Sequence, residues 1–138
     1  MSAQAGDDLT GLVRRGMDAF NRGDIQIVLA MLDYDVEVYS HPDTGNTGTY
    51  RGHDGFLQWV NLWLDAWDEF HSEVREVEVL DDEHVVAIMD QFARGKGSGI
   101  PVEQRGVAYL FTIREGRTTY MGLYLDRETA LADLPRLG

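Results

Sequence analysis

The sequence predicts an α+β fold: a cone-shaped α+β barrel with helices packed in the concave face of a curved, mixed and mostly antiparallel sheet. Three observations carry this. Apolar residues recur at helical spacing through most of the first half, and after Phe70 the period drops to that of strands, in runs of about 71–80, 84–95, 102–114 and 117–126. Helices therefore come first and strands last, the order of an α+β domain rather than of alternating βα units. Those runs are also longer than the common strand of about five or six residues. A long sheet of this kind curls around the helices and leaves a hollow between them.

Each element follows in order. Residues 1–7 read as a loose tail, and residues 8–138 as one domain. Leu9, Leu12, Val13, Gly16, Met17 and Phe20 form one apolar stripe; Asp7 or Asp8 caps its start and Gly23 ends it in a left-handed turn. Gly16 lies on the buried stripe, where glycine costs about 1 kcal/mol against alanine, which points to a backbone or ligand in close approach. Asp24 caps a second short helix carrying Ile27, Val28, Met31 and Leu32 inward. Residues 36–41 form a short strand, followed by a loop from Pro42 to Gly52. Phe56, Trp59, Val60, Trp63, Leu64 and Trp67 then mark the clearest helix, with all three tryptophans on one face. "LDDEH" and "REGR" read as hairpin turns and "RGKGSGIP" as a longer hairpin end. Asp126 caps a last short helix, closed by Pro135.

Composition narrows the partners. The chain has 138 residues, 24 acidic against 12 basic, for a net charge of −12. Lys96 is the single lysine and the arginines are scattered, so the clustered cations that grip a phosphate backbone or an anionic membrane are missing. There is no cysteine, hence neither disulfide nor thiolate metal site. The four histidines lack close metal-ligand spacing, and the glycine-rich run lacks the spacing and helix of a phosphate loop. The expectation is no metal, no cofactor and no nucleic acid. The N-terminus carries no secretion signal and no run is long enough to span a membrane, so the expected location is cytoplasmic.

The runs "AFNRGDIQIVLAMLDYDVEVYSHPD", "YRGHDGFLQWV" and "LFTIREGRTTYMGLYLDRETAL" resemble, in this order, the SnoaL-like branch of the nuclear-transport-factor-2-like superfamily, over about residues 8–134. That resemblance implies the cone fold, a homodimer formed through the convex sheet face, and any of many activities, among them polyketide cyclase, ketosteroid isomerase, epoxide hydrolase and non-catalytic adaptor. In the isomerases a carboxylate base precedes a proline at the end of the first strand; that position falls on His41, before Pro42. Their oxyanion-holding tyrosine falls on Gly16 and their protonated aspartic acid on Tyr109. In the cyclases a histidine often stands where this chain has Tyr109. These departures argue against steroid isomerisation as such.

Alternation then selects a pocket. With Tyr109 inward, Val107, Phe111 and Arg105 follow it; Ile88, Asp90 and Phe92 are expected inward on the preceding strand, and Met121, Leu123 and Leu125 on the last. The expected catalytic set is His41 as base, Tyr109 as oxyanion donor and Asp90 in support. Asp90 has a structural alternative, an ion pair with Arg105 across the hairpin. The expected ligand-binding set is Gly16, Phe20, Tyr39, Phe56, Trp59, Trp63, Phe92, Arg105, Phe111, Met121 and Leu123, around a small apolar or aromatic compound. Val36 and Val38 pull the other way, since they place Tyr39 and His41 on the opposite face of the first strand. Three functions remain: a cofactor-independent isomerase, cyclase or hydrolase acting on an apolar carbonyl or polyketide-like compound, a non-catalytic ligand-binding protein, and an interaction module using the outer sheet. A His41–Asp90–Tyr109 cluster on a cavity favours the first. A dry apolar pocket favours the second, and a filled interior the third.

Overall fold

The computed structural model describes residues 3–44 and 47–137. The order is α1 (Ala3–Arg22), α2 (Ile25–Met31), β1 (Leu32–Ser40), β2 (Gly48–Arg51), α3 (Gly52–Ala66), β3 (Trp67–Val79), β4 (His84–Gly95), β5 (Pro101–Arg114), β6 (Arg117–Tyr124) and α4 (Arg127–Asp133), with 3-10 turns at Pro42–Thr44 and Leu134–Leu137. The sheet runs β2-β1-β6-β5-β4-β3. β1 lies parallel to β6 and the other pairs are antiparallel, so the sheet is mixed as expected. It is open rather than closed on itself, and α1, α2 and α3 fill its concave side.

Local chemistry accounts for most boundaries. α1 ends in a Schellman motif: Asp24 N–H donates to Ala19 O (2.9 Å) and Gly23 N–H to Phe20 O (3.0 Å), with Gly23 at φ 81°. α1 starts at Ala3, inside the stretch read as a tail; residues 1 and 2 of that tail lie outside the described residues. Asp24 does not cap α2, because its carboxylate accepts from Arg22 Nε at 3.0 Å instead. The loop expected from Pro42 to Gly52 holds β2, and its residues 45 and 46 lie outside the described residues. Trp67 leaves the helical face on which it was expected and opens β3. The "REGR" turn has Glu115 and Gly116 at φ 55° and 77°, the two positive angles of a tight type I′ hairpin. In the glycine-rich hairpin, Lys96 N–H donates to Ala66 O and Lys96 Nζ to Leu64 O, both at 3.3 Å, which satisfies carbonyls at the open end of α3.

Two bulges beside Asp90 bend the sheet. Pairing of β4 with β5 shifts between Met89 and Gln91, so Arg105 and Gly106 together oppose Asp90. Gly106 takes φ 75°, which the bulge requires and glycine adopts without strain. On the other side, Arg75 is the extra residue of β3. Asp90 is 5% exposed and ties both bulges down. Its carboxylate accepts from Gly106 N–H (3.1 Å), Arg105 Nη1 (3.4 Å) and Arg75 Nη1 (3.5 Å). The ion-pair alternative for Asp90 and Arg105 is thus what the fold contains.

The core has two parts. The inner one joins α1, α2 and α3 to Val36, Val38, Val85, Ala87, Met89 and the inward residues of β5 and β6. The outer one holds Val86, Ala108, Leu110, Tyr120 and Tyr124 against Ala130, with Leu134 and Leu137 packed on it. α4 is capped by Asp126, which accepts Thr129 N–H at 2.8 Å, and it is clamped to β3 by two Arg127–Glu78 bonds of 2.9 Å. Part of the outer face that the resemblance assigns to a homodimer is therefore covered by the chain's own C-terminal segment.

Candidate functional site

The concave side encloses a cavity. From α1 come Leu12, Val13, Gly16, Met17 and Phe20; from α2, Val28 and Met31; from α3, Phe56, Trp59 and Trp63. The sheet supplies Leu32 at its β1 end, Phe70 and Ser72 of β3, Tyr109, Phe111 and Ile113 of β5, and Thr118 and Met121 of β6. None of these lining residues is a carboxylate, an imidazole, an ammonium or a guanidinium. The cavity volume is about 60 Å³. Gly16 owes nothing to a tight neighbour: a Cβ there would meet only the Met31 thioether and methyl, at 3.6–3.7 Å. The close approach anticipated at Gly16 is thus cavity wall rather than packed backbone.

Polar groups gather in one corner. Gln91, 3% exposed, donates from Nε2 to Tyr109 Oη at 2.8 Å and to Ser72 Oγ at 3.3 Å. Ser72 is fixed by Asn21, whose side-chain amide donates to Ser72 O (2.7 Å) and accepts from Ser72 N–H (3.1 Å). β3 is an edge strand, so this amide stands in for a neighbouring strand and ties the end of α1 to the sheet. Trp59 Nε1 donates to Ser40 Oγ at 2.8 Å, whereas the indole N–H of Trp63 is buried with no acceptor.

The structure distributes the sequence candidates over two faces. Gly16, Phe20, Phe56, Trp59, Trp63, Tyr109, Phe111 and Met121 line the cavity. Leu123 belongs to the inner core but not to the lining. Tyr39 packs with the outer core, against the Tyr124 ring at 5.8 Å. His41 also packs against Tyr124, with ring centroids 5.8 Å apart, and its backbone N–H donates to Leu123 O at 3.0 Å. The inward polar residue at that strand end is Ser40, one position earlier. Asp90, Phe92 and Arg105 also fall outside the lining: Ala87 pairs with Tyr109, so β4 sends Ala87, Met89 and Gln91 inward and Asp90 and Phe92 outward. The Gly106 bulge turns Arg105 outward too, with its guanidinium carbon 5.9 Å from the Phe92 ring centroid. His41, Asp90 and Tyr109 are not brought together. Gln91 and Ser72 are the polar residues that the sequence reading missed; the isolated Gly106 in a strand was the available signal of a phase change.

Two phenols are held in their protonated form. Burial pushes Tyr109 above its ordinary value, against the Gln91 bond that lowers it. Burial does the same to Tyr124, helped by its bonds to Asp133 (2.5 Å) and Tyr120 (2.6 Å). A phenol raised in the fold contributes its full stability while both states are protonated. The contribution falls once pH passes the unfolded value of about 10, where only the unfolded chain ionises. Denaturant midpoints are therefore expected to drop as pH rises from about 9 to about 11, with a shallower slope in Tyr109→Phe. An equal slope in that variant would show that Tyr109 is not one of the groups responsible.

Comparison with known proteins adds the following. The model of the SnoaL-like domain family matches residues 13–121. No curated protein matches the sequence. Among solved structures, an NTF2-like protein of unknown function from Burkholderia pseudomallei superposes with a TM-score of 0.77 at 22% identity, covering 99% of this chain and 98% of that one. TerC, co-crystallised with polyporic acid, gives 0.76 at 19% identity, covering 94% and 98%. A protein with a ketosteroid isomerase-like fold from Catenulispora acidiphila, in complex with trimethylamine, gives 0.72 at 16% identity, covering 88% and 89%. At these identities the likeness speaks for the fold.

Proposed function

Because the chain belongs to the SnoaL-like domain family, a fold that hosts many activities, its function has to be read from its own site, and we propose that the cavity binds a small, neutral, mostly apolar molecule without acid–base chemistry from the surrounding side chains. One observation carries this reading: among the described residues, the wall holds no carboxylate, imidazole, ammonium or guanidinium. A general base has to come within hydrogen-bond reach of the proton it takes. His41 packs instead on the outer face beside Tyr124, and Asp90 is engaged by two arginines and a backbone amide. What remains inside is aromatic and aliphatic surface with a few oriented polar atoms, the usual make-up of a ligand pocket. That two structural neighbours were crystallised with small molecules supports the choice of ligand size class.

Gly16 supplies the test. A leucine there stays on α1, gains helix propensity over glycine, and projects from a wall where the nearest atoms are at van der Waals distance. Gly16→Leu is expected to keep the fold and to lose at least about tenfold in affinity for any compound that shifts the fluorescence of Trp59 and Trp63. A compound that binds wild type and Gly16→Leu equally well binds elsewhere, and the cavity is then not the site. Turnover of a bound compound that survives Tyr109→Phe but disappears in His41→Ala would favour the enzymatic alternative.

A further inference from the structure

We propose that Gln91 sets the hydrogen-bonding polarity of the cavity's polar corner, so that the site selects a neutral ligand that presents an acceptor oxygen. This rests on the cavity being a binding site, as argued above. The side-chain amide of Gln91 donates to two hydroxyl oxygens, Tyr109 Oη at 2.8 Å and Ser72 Oγ at 3.3 Å. A hydroxyl that accepts from an amide keeps its own proton for another partner. Both hydroxyls belong to lining residues, so the corner offers O–H donors to whatever enters. The carbonyl oxygen of Gln91 is buried without a donor, which leaves the amide nitrogen as the end that organises the corner. With no cation in the wall to receive a carboxylate and no anion to receive an ammonium, the matching ligand atom is a neutral ketone, aldehyde, ester or amide oxygen.

Size follows from the open space. The cavity volume is about 60 Å³, less than half of the ~150 Å³ that takes a benzene ring, so the acceptor-bearing end of the ligand is the part that enters. The rest of a ring compound would have to extend out of the hollow. Gln91 is a positioning residue here: it acts on the ligand through Tyr109 and Ser72.

The test titrates the full chain by calorimetry with acetophenone, with ethylbenzene as its hydrocarbon counterpart, and with aniline as a neutral donor. Wild type is expected to prefer acetophenone over ethylbenzene by about tenfold, the size of one buried hydrogen bond. Tyr109→Phe is expected to shrink that preference severalfold, since Ser72 then remains as the one hydroxyl donor. Gln91→Glu gives the corner an acceptor carboxylate that takes both hydroxyl protons, and is expected to move the preference to aniline. Ethylbenzene affinity should hold in all three proteins, which a merely structural role for Gln91 would not predict. A wild-type preference for aniline, or an acetophenone preference that survives both substitutions undiminished, overturns the proposal. If ethylbenzene binds and acetophenone gains nothing, the polarity assignment falls while the cavity reading stands. If no probe binds wild type, the cavity reading itself falls.

Discussion

Phe56→Ala is expected to lower unfolding free energy by about 3–5 kcal/mol, the range for truncating a buried aromatic. Phe56 is 1% exposed, sits on the inward face of α3, and packs its ring 6.1 Å from that of Trp59. Trp59 is in turn bonded to Ser40 of β1. The ring therefore joins the helix that roofs the cavity to the strand beneath it, and a methyl group in its place enlarges a hollow that is already open. Against a total of about 5–15 kcal/mol for a domain, this loss is large. Urea unfolding of both proteins gives the difference. A change below about 1 kcal/mol would mean that α3 collapses onto the space, and that the cavity does not persist as a rigid feature.

Gly122→Ala is expected to cost about 3 kcal/mol or more, although it adds a single methyl group. Gly122 lies on β6 between two tyrosines whose rings fold over it. A Cβ there would stand 2.6 Å from Tyr120 Oη, 2.6 Å from Tyr124 Cε2 and 2.9 Å from Tyr120 Cε2. Neither ring can retreat freely, because the two hydroxyls share a 2.6 Å bond and Tyr124 donates onward to Asp133. β6 is also an interior strand, held by β1 and β5. The methyl group must break this chain of hydroxyls or bend the backbone. If it acts through the rings, Tyr120→Ala should relieve part of the penalty, and the double variant should be more stable than the sum of the single losses predicts. Strict additivity would place the damage in the backbone instead.

The elements were largely legible because their signals are local. The stripe from Leu9 to Phe20, the glycine after α1 and the two-residue turn at Glu115–Gly116 each obey rules that operate within a few residues. The face each strand presents was less legible, because alternation holds only while the pairing register is unbroken. Gly106 breaks it on β5 and Arg75 on β3, and neither event changes the hydrophobic pattern enough to announce itself. Asp90 was therefore placed inward when Gln91 is the inward residue. At β1 the opposite holds. Val36 and Val38 alternate without interruption and by themselves assign His41 to the outer face; the position before Pro42 pointed to His41 only through the family likeness. The polar corner was not legible, since Asn21, Ser72 and Gln91 lie far apart in the chain and meet only once α1 docks on the edge strand.

The parallel pairing of β1 with β6 bears on how the chain acquires its shape. It couples the first strand to the last, so α1, α2 and β1 join the meander of β3 to β6 through contacts of very long sequence separation. Loop-closure entropy makes such contacts late and slow to form. During synthesis β1 has to wait for its parallel partner until β6 has emerged. That interval is when aggregation competes with folding, and pulse-labelled amide exchange should find the β4–β5 hairpin protected before β1.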